Sequence, residues 1–222
     1  MTTRKSFEEQ RKQLELELVK MGKMVIAAVS SSVEALKDNN VEEAKKIIAH
    51  DSAINENRRY IEEECISLIA TQQPVACDLR DLIAIMNINT ELERMGDYAA
   101  GNAHIVVMME DQPLIKPLID IPLMSEKAIS MIKRSLEAFM QRDVEAARAL
   151  CHEDDDVDML YDRIYHELIS IMIKDPEKTA GATYLLWVAH NLERIADRVT
   201  NICERTVYLV TGEIEESNVS KY

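Results

Sequence analysis

Hydrophobic residues recur along this chain with the spacing of long amphipathic helices. Apolar side chains three and four residues apart mark one face of a helix, and Leu14, Leu18, Met21 and Val25 form such a seam. Segments rich in Asp, Asn, Gln, Pro or Gly interrupt the pattern and end each helix. We predict six long helices, at residues 5–37, 41–71, 75–109, 123–141, 144–174 and 178–210.

A proline-rich segment lies near the middle of the chain. Pro113, Pro117 and Pro122 fall within ten residues, and proline in a helix interior removes a hydrogen bond and clashes with the preceding turn. We interpret this segment as a linker between two helical units. The predicted first unit, linker and second unit are residues 1–110, 111–122 and 123–222.

The second unit repeats the first. Asp51 and Ile61 recur as Asp154 and Ile164, an offset of 103 residues, whereas the third and sixth helices align at an offset of 100. The difference predicts a turn three residues shorter in the second unit. Long helices joined by short turns lie antiparallel. The predicted fold is all-α, with two pseudo-repeated antiparallel three-helix bundles.

One short acidic motif occurs on both the third and the sixth helix. It reads Leu-Glu-Arg, an apolar residue, a small residue and Asp, at residues 92–97 and 192–197. Its two acids lie four residues apart on one helix face, where like charges cost about 0.2–0.5 kcal/mol per pair. A repeated, costly feature suggests a bound cation. The pairs are Glu93 with Asp97 and Glu193 with Asp197.

A second set of acids lies on the second and fifth helices. Asp154 and Asp158 form a pair, and the matching positions are Asp51 and Asn55. Asp51 and Asp154 both fall on the apolar seam, where a carboxylate is costly unless it is paired or binds a metal. All-oxygen sites suit Mg, Mn, Ca or Fe. The candidate metal ligands are Asp51, Glu93, Asp97, Asp154, Asp158, Glu193 and Asp197.

Three neighbouring residue types refine this prediction. Asn55 keeps an oxygen ligand but loses a charge, so the first-half site is expected to be weaker. His190, three residues before Glu193, is the one histidine on that face and a possible ligand. The order is reversed from the Glu-x-x-His signature of di-iron bundles, which argues against an oxidase-like centre. Arg94 and Arg194 are expected to form salt bridges or surface contacts. The plainer interpretation of all the acids is a solvated helix face.

Composition excludes several classes of protein. The net charge of −14 repels phosphate backbones, so nucleic acid is not an expected partner, whereas cations or a basic protein patch are. No signal peptide or membrane-length apolar run is present, which indicates an intracellular protein. The chain has no Gly-rich phosphate loop or nucleophile elbow. The four cysteines contain no Cys-x-x-Cys pair, and we expect inert core thiols without disulfides.

The chain resembles the PhoU family of bacterial phosphate-uptake regulators over nearly its whole length. The resemblance is carried by the duplication, by both Leu-Glu-Arg motifs and by three further segments. These segments are Pro74-Val75-Ala76-x-Asp78-Leu79-Arg80, Ile121-Pro122 and Tyr208-Leu209-Val210-Thr211-Gly212-Glu213. One departure is Gly101, where family members often carry the Asn that the second half keeps as Asn201.

The resemblance implies a function beyond what the helical pattern indicates. It implies a cytoplasmic, non-enzymatic regulator that binds iron, zinc, manganese or magnesium through Glu/Asp-x-x-x-Asp motifs. Its expected partners are the phosphate ABC transporter, especially the ATPase subunit, and the membrane sensor kinase, so it would reach the membrane only through them. A spare apolar strip on long helices makes a homodimer plausible. Two alternatives remain: an enzyme with a carboxylate-bridged metal, and a helical scaffold that binds no metal.

Overall fold

A computed structural model describes residues 3–109 and 112–215 of the chain. This part contains six α-helices, one short 3-10 helix and no strand. The α-helices are α1 (Thr3–Lys37), α2 (Val41–Gln72), α3 (Cys77–Met108), α4 (Asp120–Gln141), α5 (Val144–Lys174) and α6 (Thr179–Thr211). The 3-10 helix, Pro176–Lys178, lies between α5 and α6.

The helix ends follow from local chemistry. The Asn40 side-chain oxygen accepts a hydrogen bond from the Glu43 amide at 3.0 Å, and Asp143 caps α5 in the same way. Such caps satisfy amides that have no partner within the helix. At the end of α6, Gly212 adopts a left-handed conformation with φ 78°, which glycine adopts without strain.

The helices form the two predicted three-helix bundles. α1, α2 and α3 pack together, as do α4, α5 and α6, and the bundles join through α3 against α6 and α1 against α4. The seam residues Leu18, Met21 and Val25 are fully buried. Buried side chains from all six helices form one continuous hydrophobic cluster. The predicted all-α duplication is confirmed.

Two details of the prediction differ from the structure. α4 begins at Asp120 instead of residue 123, with Pro122 in its first turn, where an amide has no helical partner to lose. The predicted shorter turn is wrong, because four residues separate the α-helices in both halves, at 73–76 and 175–178. The change of offset arises within the helices, since Glu93 lies further from the start of α3 than Glu193 does from the start of α6.

The cysteines are all free. Cys65, Cys151 and Cys203 are buried, and burial raises the pKa of the Cys65 thiol to about 12. The prediction of core thiols is wrong for Cys77, which is the exposed first residue of α3. None of the helices in the described ranges is long and apolar enough to cross a membrane.

Candidate metal centre

The α5–α6 contact brings four predicted ligands together. Asp154 occupies a seam position of α5 and is only 3% exposed. Burial, together with the charges of Asp158, Asp197 and Glu193, raises the pKa of Asp154 to about 7. Charges act on a pKa in this way only at short range, within about 4–6 Å for strong effects. The structure therefore places these four carboxylates in one cluster, which we call the second acidic cluster.

Glu193 is the most constrained carboxylate that α6 contributes. Burial, and to a smaller extent the charge of Asp197, raises the pKa of Glu193 to about 7. Its Oε2 atom is buried and accepts no hydrogen bond. Burial also raises the pKa of Asp197, which Arg194 opposes because its Nη1 donates to Asp197 Oδ2 at 2.6 Å. The cluster thus holds carboxylates whose charged forms are only partly compensated by the protein.

His190 lies at the edge of this cluster. Its Nδ1 is 3.4 Å from Glu193 Oε2 without forming a hydrogen bond, and its ring centroid is 6.1 Å from that of Tyr161. Burial and the charge of Arg194 lower the pKa of His190, so the imidazole is neutral near pH 7. A neutral imidazole nitrogen is the form that binds metals.

The α2–α3 contact brings together the three predicted ligands of the first half, Asp51, Glu93 and Asp97, which we call the first acidic cluster. Burial, then the charge of Asp97, raise the pKa of Glu93; burial, then Asp51, raise that of Asp97. Asn55 donates to Asp51 Oδ2 at 2.8 Å, whereas Asp51 Oδ1 is buried without a hydrogen bond. Arg58 of α2 lies beside this cluster, with its Nε 3.8 Å from Glu93 Oε1.

A cavity of about 280 Å³ opens between α1, α2 and α3. Small and apolar side chains line most of it, and Asp51 is the one predicted ligand on its wall. The corresponding gap between α4 and α5 is spanned by ion pairs, Arg134 with Glu153 at 2.6 Å and Lys127 with Asp156 at 2.8 Å. Apart from Asp51, the carboxylates of both clusters therefore lie along helix contacts and outside this cavity.

The donor set fits a cation, although the side chains are not yet arranged around one. Among residues 3–109 and 112–215, no three His, Cys, Asp or Glu side chains form a ready-made metal site. Carboxylate oxygens are the ligands that Mg, Mn and Fe prefer. The buried Glu193 Oε2, which accepts no hydrogen bond, would gain a partner from a bound cation. A cation in the second acidic cluster would therefore require side-chain rotations there.

Polar side chains meet at the contact between the bundles, and the helical pattern did not predict these contacts. Glu91 Oε2 accepts hydrogen bonds from Arg198 at 3.4 Å and from Asn201 at 3.1 Å. At the pseudo-equivalent point, a Cβ on Gly101 would lie 3.3 Å from the Asn191 amide nitrogen. The Gly101 departure thus belongs to the α3–α6 interface and lies outside the acidic clusters.

The prediction that Arg94 and Arg194 form salt bridges is confirmed. Arg94 Nη1 is 3.7 Å from Glu91, and Arg194 binds Asp197. Arg194 also hydrogen-bonds Tyr98 across the bundle contact. Arg194 therefore connects its Leu-Glu-Arg motif to the other half directly, whereas Arg94 contacts Glu91 on its own helix.

The fold and the paired acids define a class of duplicated three-helix-bundle proteins. The sequence matches the family model PhoU domain twice, over residues 18–106 and 121–206. It is 41% identical to the phosphate-specific transport system accessory protein PhoU homolog of Clostridium acetobutylicum, over 97% of this chain and 99% of that protein. The corresponding protein of Aquifex aeolicus is 38% identical over 95% of this chain and 93% of that one. This chain belongs to the PhoU family.

Solved structures agree with this assignment. The crystal structure of the phosphate transport system regulatory protein PhoU from Streptococcus pneumoniae matches with a TM-score of 0.88 and 35% identity, covering 95% of this chain and 99% of that one. The crystal structure of PhoU from Pseudomonas aeruginosa has the same TM-score at 31% identity, covering 93% and 100% of the two chains.

Proposed function

We propose that this protein is a non-enzymatic, cytoplasmic regulator of phosphate uptake and of phosphate-starvation signalling. The observation that carries the proposal is the match of both halves to the PhoU domain. Relatives that align with nearly the whole chain are named accessory proteins of phosphate-specific transport systems. The site offers support of a second kind, because the acids lie along helix contacts and only Asp51 reaches the described cavity.

Metal binding is the second part of the proposal. Asp154, Asp158, Glu193 and Asp197 would hold a cation between α5 and α6, and His190 stands close enough to join them. Asp51, Glu93 and Asp97 form the weaker candidate. The ion would be iron, manganese, magnesium or zinc, and oxygen ligands favour the harder ions of this group. Bound metal would tie two helices together and offer open coordination positions to a partner.

Docking is the third part. The chain carries a net charge of −14, which suits a basic surface on another protein and speeds its encounter with one. The proposed partners are the ATPase subunit of the phosphate ABC transporter and the membrane sensor kinase. Association as a homodimer remains part of the proposal. Contact with the membrane would come only through these partners.

The test combines metal analysis with capture of a partner. The double variant Glu193→Ala plus Asp197→Ala is compared with Glu56→Ala plus Glu63→Ala, which removes the same charge from exposed positions of α2. We expect the first variant alone to lose metal. Wild-type protein is expected to capture the purified ATPase subunit or the kinase at physiological salt.

The possible failures of this test are distinct. Unchanged metal content in the Glu193→Ala plus Asp197→Ala variant would contradict the site assignment. Absence of metal from the wild-type protein would favour a metal-free scaffold. Recovery of neither the ATPase subunit nor the kinase by metal-loaded wild-type protein would contradict the docking role, whatever the metal content. Turnover of a substrate that depends on the bound metal would favour the enzyme alternative.

A further inference from the structure

Besides Asn55 and Asp158, the two acidic clusters differ at a second pair of equivalent positions. Arg58 on α2 and Tyr161 on α5 stand at the same distance from the starts of their helices, Val41 and Val144. Each follows its cluster's seam aspartate by seven residues, two helical turns further along the same face. The duplication therefore places a cation in the first half where the second half has an aromatic ring.

Arg58 crosses from its own helix to the carboxylates of the neighbouring helix. Its Nε lies 3.8 Å from Glu93 Oε1 on α3, and its charge opposes the rise in the pKa of both Glu93 and Asp97. Arg58 Nη2 also lies 3.5 Å from Glu62 on α2. The guanidinium thus acts across the α2–α3 contact, where a metal held by Asp51, Glu93 and Asp97 would have to sit.

The backbone beneath Arg58 is anchored to the opposite helix. The Arg58 carbonyl oxygen accepts a hydrogen bond from the Asn89 side chain at 2.9 Å, and Asn89 is only 1% exposed. A buried side-chain hydrogen bond of this kind fixes the register of α2 against α3. The position of Arg58 beside Glu93 is therefore built into the helix contact.

The second acidic cluster has a different charge arrangement. The arginines that act on Asp197 are Arg194 and Arg198, and both belong to α6, the helix that carries Asp197 itself. Arg194 approaches Asp197 from the same helix, and Arg198 is also paired with Glu91 of α3. On α5, the position that corresponds to Arg58 holds Tyr161, whose ring packs near His190. The gap between α5 and α6 thus receives acids from both helices and no arginine from α5.

We propose that Arg58 is the resident cation of the first acidic cluster, so that the chain binds metal only at the second. Asn55 supports this role, because its amide group donates to Asp51 where the second half has the carboxylate of Asp158. The first cluster has one acid fewer, and its α2 side supplies a guanidinium to the α3 acids where the α5 side of the second cluster has a tyrosine. This arrangement leaves the first cluster with less need for an external cation. The inference rests on the metal binding proposed above and deepens it.

Under this proposal, the helix contacts of the two halves differ in their dependence on metal. The α2–α3 contact is held by an internal ion pair that does not depend on metal supply. At the α5–α6 contact, bound metal would add a further link between acids of the two helices. Of the two acidic clusters, only the second would then change its helix–helix contacts with the supply of the cation.

Exchange of the differing residues tests the inference. The variant Asn55→Asp plus Arg58→Tyr gives the first half the residues of the second, and Asp158→Asn plus Tyr161→Arg makes the opposite change. The measurement is Mn²⁺ stoichiometry and affinity by isothermal titration calorimetry, with total metal by mass spectrometry. The control is Arg59→Tyr, an exposed neighbour on α2. Circular dichroism checks that each variant is folded.

We expect one Mn²⁺ per chain in the wild-type protein and in Arg59→Tyr. The Asn55→Asp plus Arg58→Tyr variant should bind a second ion, and the reverse exchange should weaken the original site by about tenfold or more, which is about 1.4 kcal/mol. Two sites of equal affinity in the wild-type protein would overturn the inference. A single site after the Asn55→Asp plus Arg58→Tyr exchange would also overturn it.

A second measurement separates this inference from the proposed metal binding. In the presence of a chelator, Arg58→Gln and Glu93→Gln are compared singly and together by thermal unfolding. Coupled residues give a non-additive cycle. We expect Arg58→Gln to lower the Tm by roughly 2–4 °C and to have a smaller effect when Glu93 is already neutral. If no variant binds metal, the proposed metal site fails, while an additive cycle is the result that removes Arg58 from its role.

Discussion

The guanidinium of Arg80 occupies the space that a side chain at position 212 would need. A Cβ built on Gly212 would overlap Arg80 Nη1, and Gly212 also has the positive φ of 78°. Arg80 lies in the first turn of α3 and Gly212 follows the last residue of α6. Two segments that identify the family by sequence, one from each half, therefore meet at one point and help to join the bundles.

We predict that Gly212→Ala destabilises the protein through both effects. The left-handed conformation costs a non-glycine residue about 1–2 kcal/mol, and displacement of Arg80 adds to this. Urea unfolding measures the change. Arg80→Ala in the same background should recover only the steric part, so the double variant should be more stable than the two single losses predict. Full additivity of the two changes would contradict the contact.

The connection between α2 and α3 contains a strained residue. Ala76 has φ 52° and ψ −118°, a conformation that glycine adopts far more readily. We expect Ala76→Gly to stabilise the protein by about 1 kcal/mol, because the strain in the folded state outweighs the added freedom of the unfolded chain. Val75→Gly, one residue earlier and without positive φ, is the control and should be neutral or destabilising. Equal effects of both changes on the urea midpoint would argue against strain at Ala76.

The cysteines should differ sharply in reactivity. Cys77 is exposed, whereas burial raises the pKa of Cys65 to about 12. A hydrogen bond with the Cys151 thiol, together with burial, raises the pKa of Cys203 well above its usual range. Thiolate is the reactive form, so one thiol per folded chain should react with a maleimide at pH 8. Mass spectrometry of digested protein should find the label on Cys77, and four labels should appear in urea. Rapid labelling of Cys151 in the folded state would contradict the buried arrangement.

Helical periodicity predicted the features that a single helix determines, namely the helix positions and the face on which each residue lies. The seams gave six helices, and the spacing of Glu193 and Asp197 placed both acids on one face. Asp154 was also correctly placed on a buried seam. Because α5 and α6 are consecutive helices, they were expected to pack against each other with their acidic faces close together. The convergence of these three residues was therefore predictable.

Relationships between the halves were not predictable in the same way. Periodicity shows which face of α3 is apolar, but it does not say which face of α6 meets it, so the Glu91–Asn201 hydrogen bond and the Gly101–Asn191 contact were missed. Arg58 was missed for another reason. It lies two turns beyond Asp51 on the same face, and extending that stripe past Asn55 would have found it.

The buried acids of the second cluster predict an unusual pH dependence in metal-free protein. The folded-state pKa values of Asp154 and Glu193 are about 7, above ordinary values of 3.8 and 4.5. The folded state therefore binds more protons than the unfolded chain between about pH 4 and 7, so this contribution to stability falls as the pH rises through that range. Urea unfolding in a chelator should show a higher midpoint at pH 6 than at pH 8. A midpoint that rises over this interval would contradict the shifted pKa values.

The variant Asp154→Asn separates the effect of this carboxylate on folding stability from its proposed role in metal binding. The amide keeps the shape of Asp154 and removes a buried charge whose raised pKa signals a cost in the folded state. Each pKa unit corresponds to about 1.4 kcal/mol, so we expect the variant to be more stable than wild type in chelator at pH 8 by roughly 1–4 kcal/mol. The same change should weaken metal binding, so added Mn²⁺ should raise the Tm of wild type far more than that of the variant. Asp162→Asn, an exposed position on α5, is the matched control and should change neither quantity. A variant that is less stable than wild type in chelator would show that Asp154 makes structural contacts worth more than the cost of its charge.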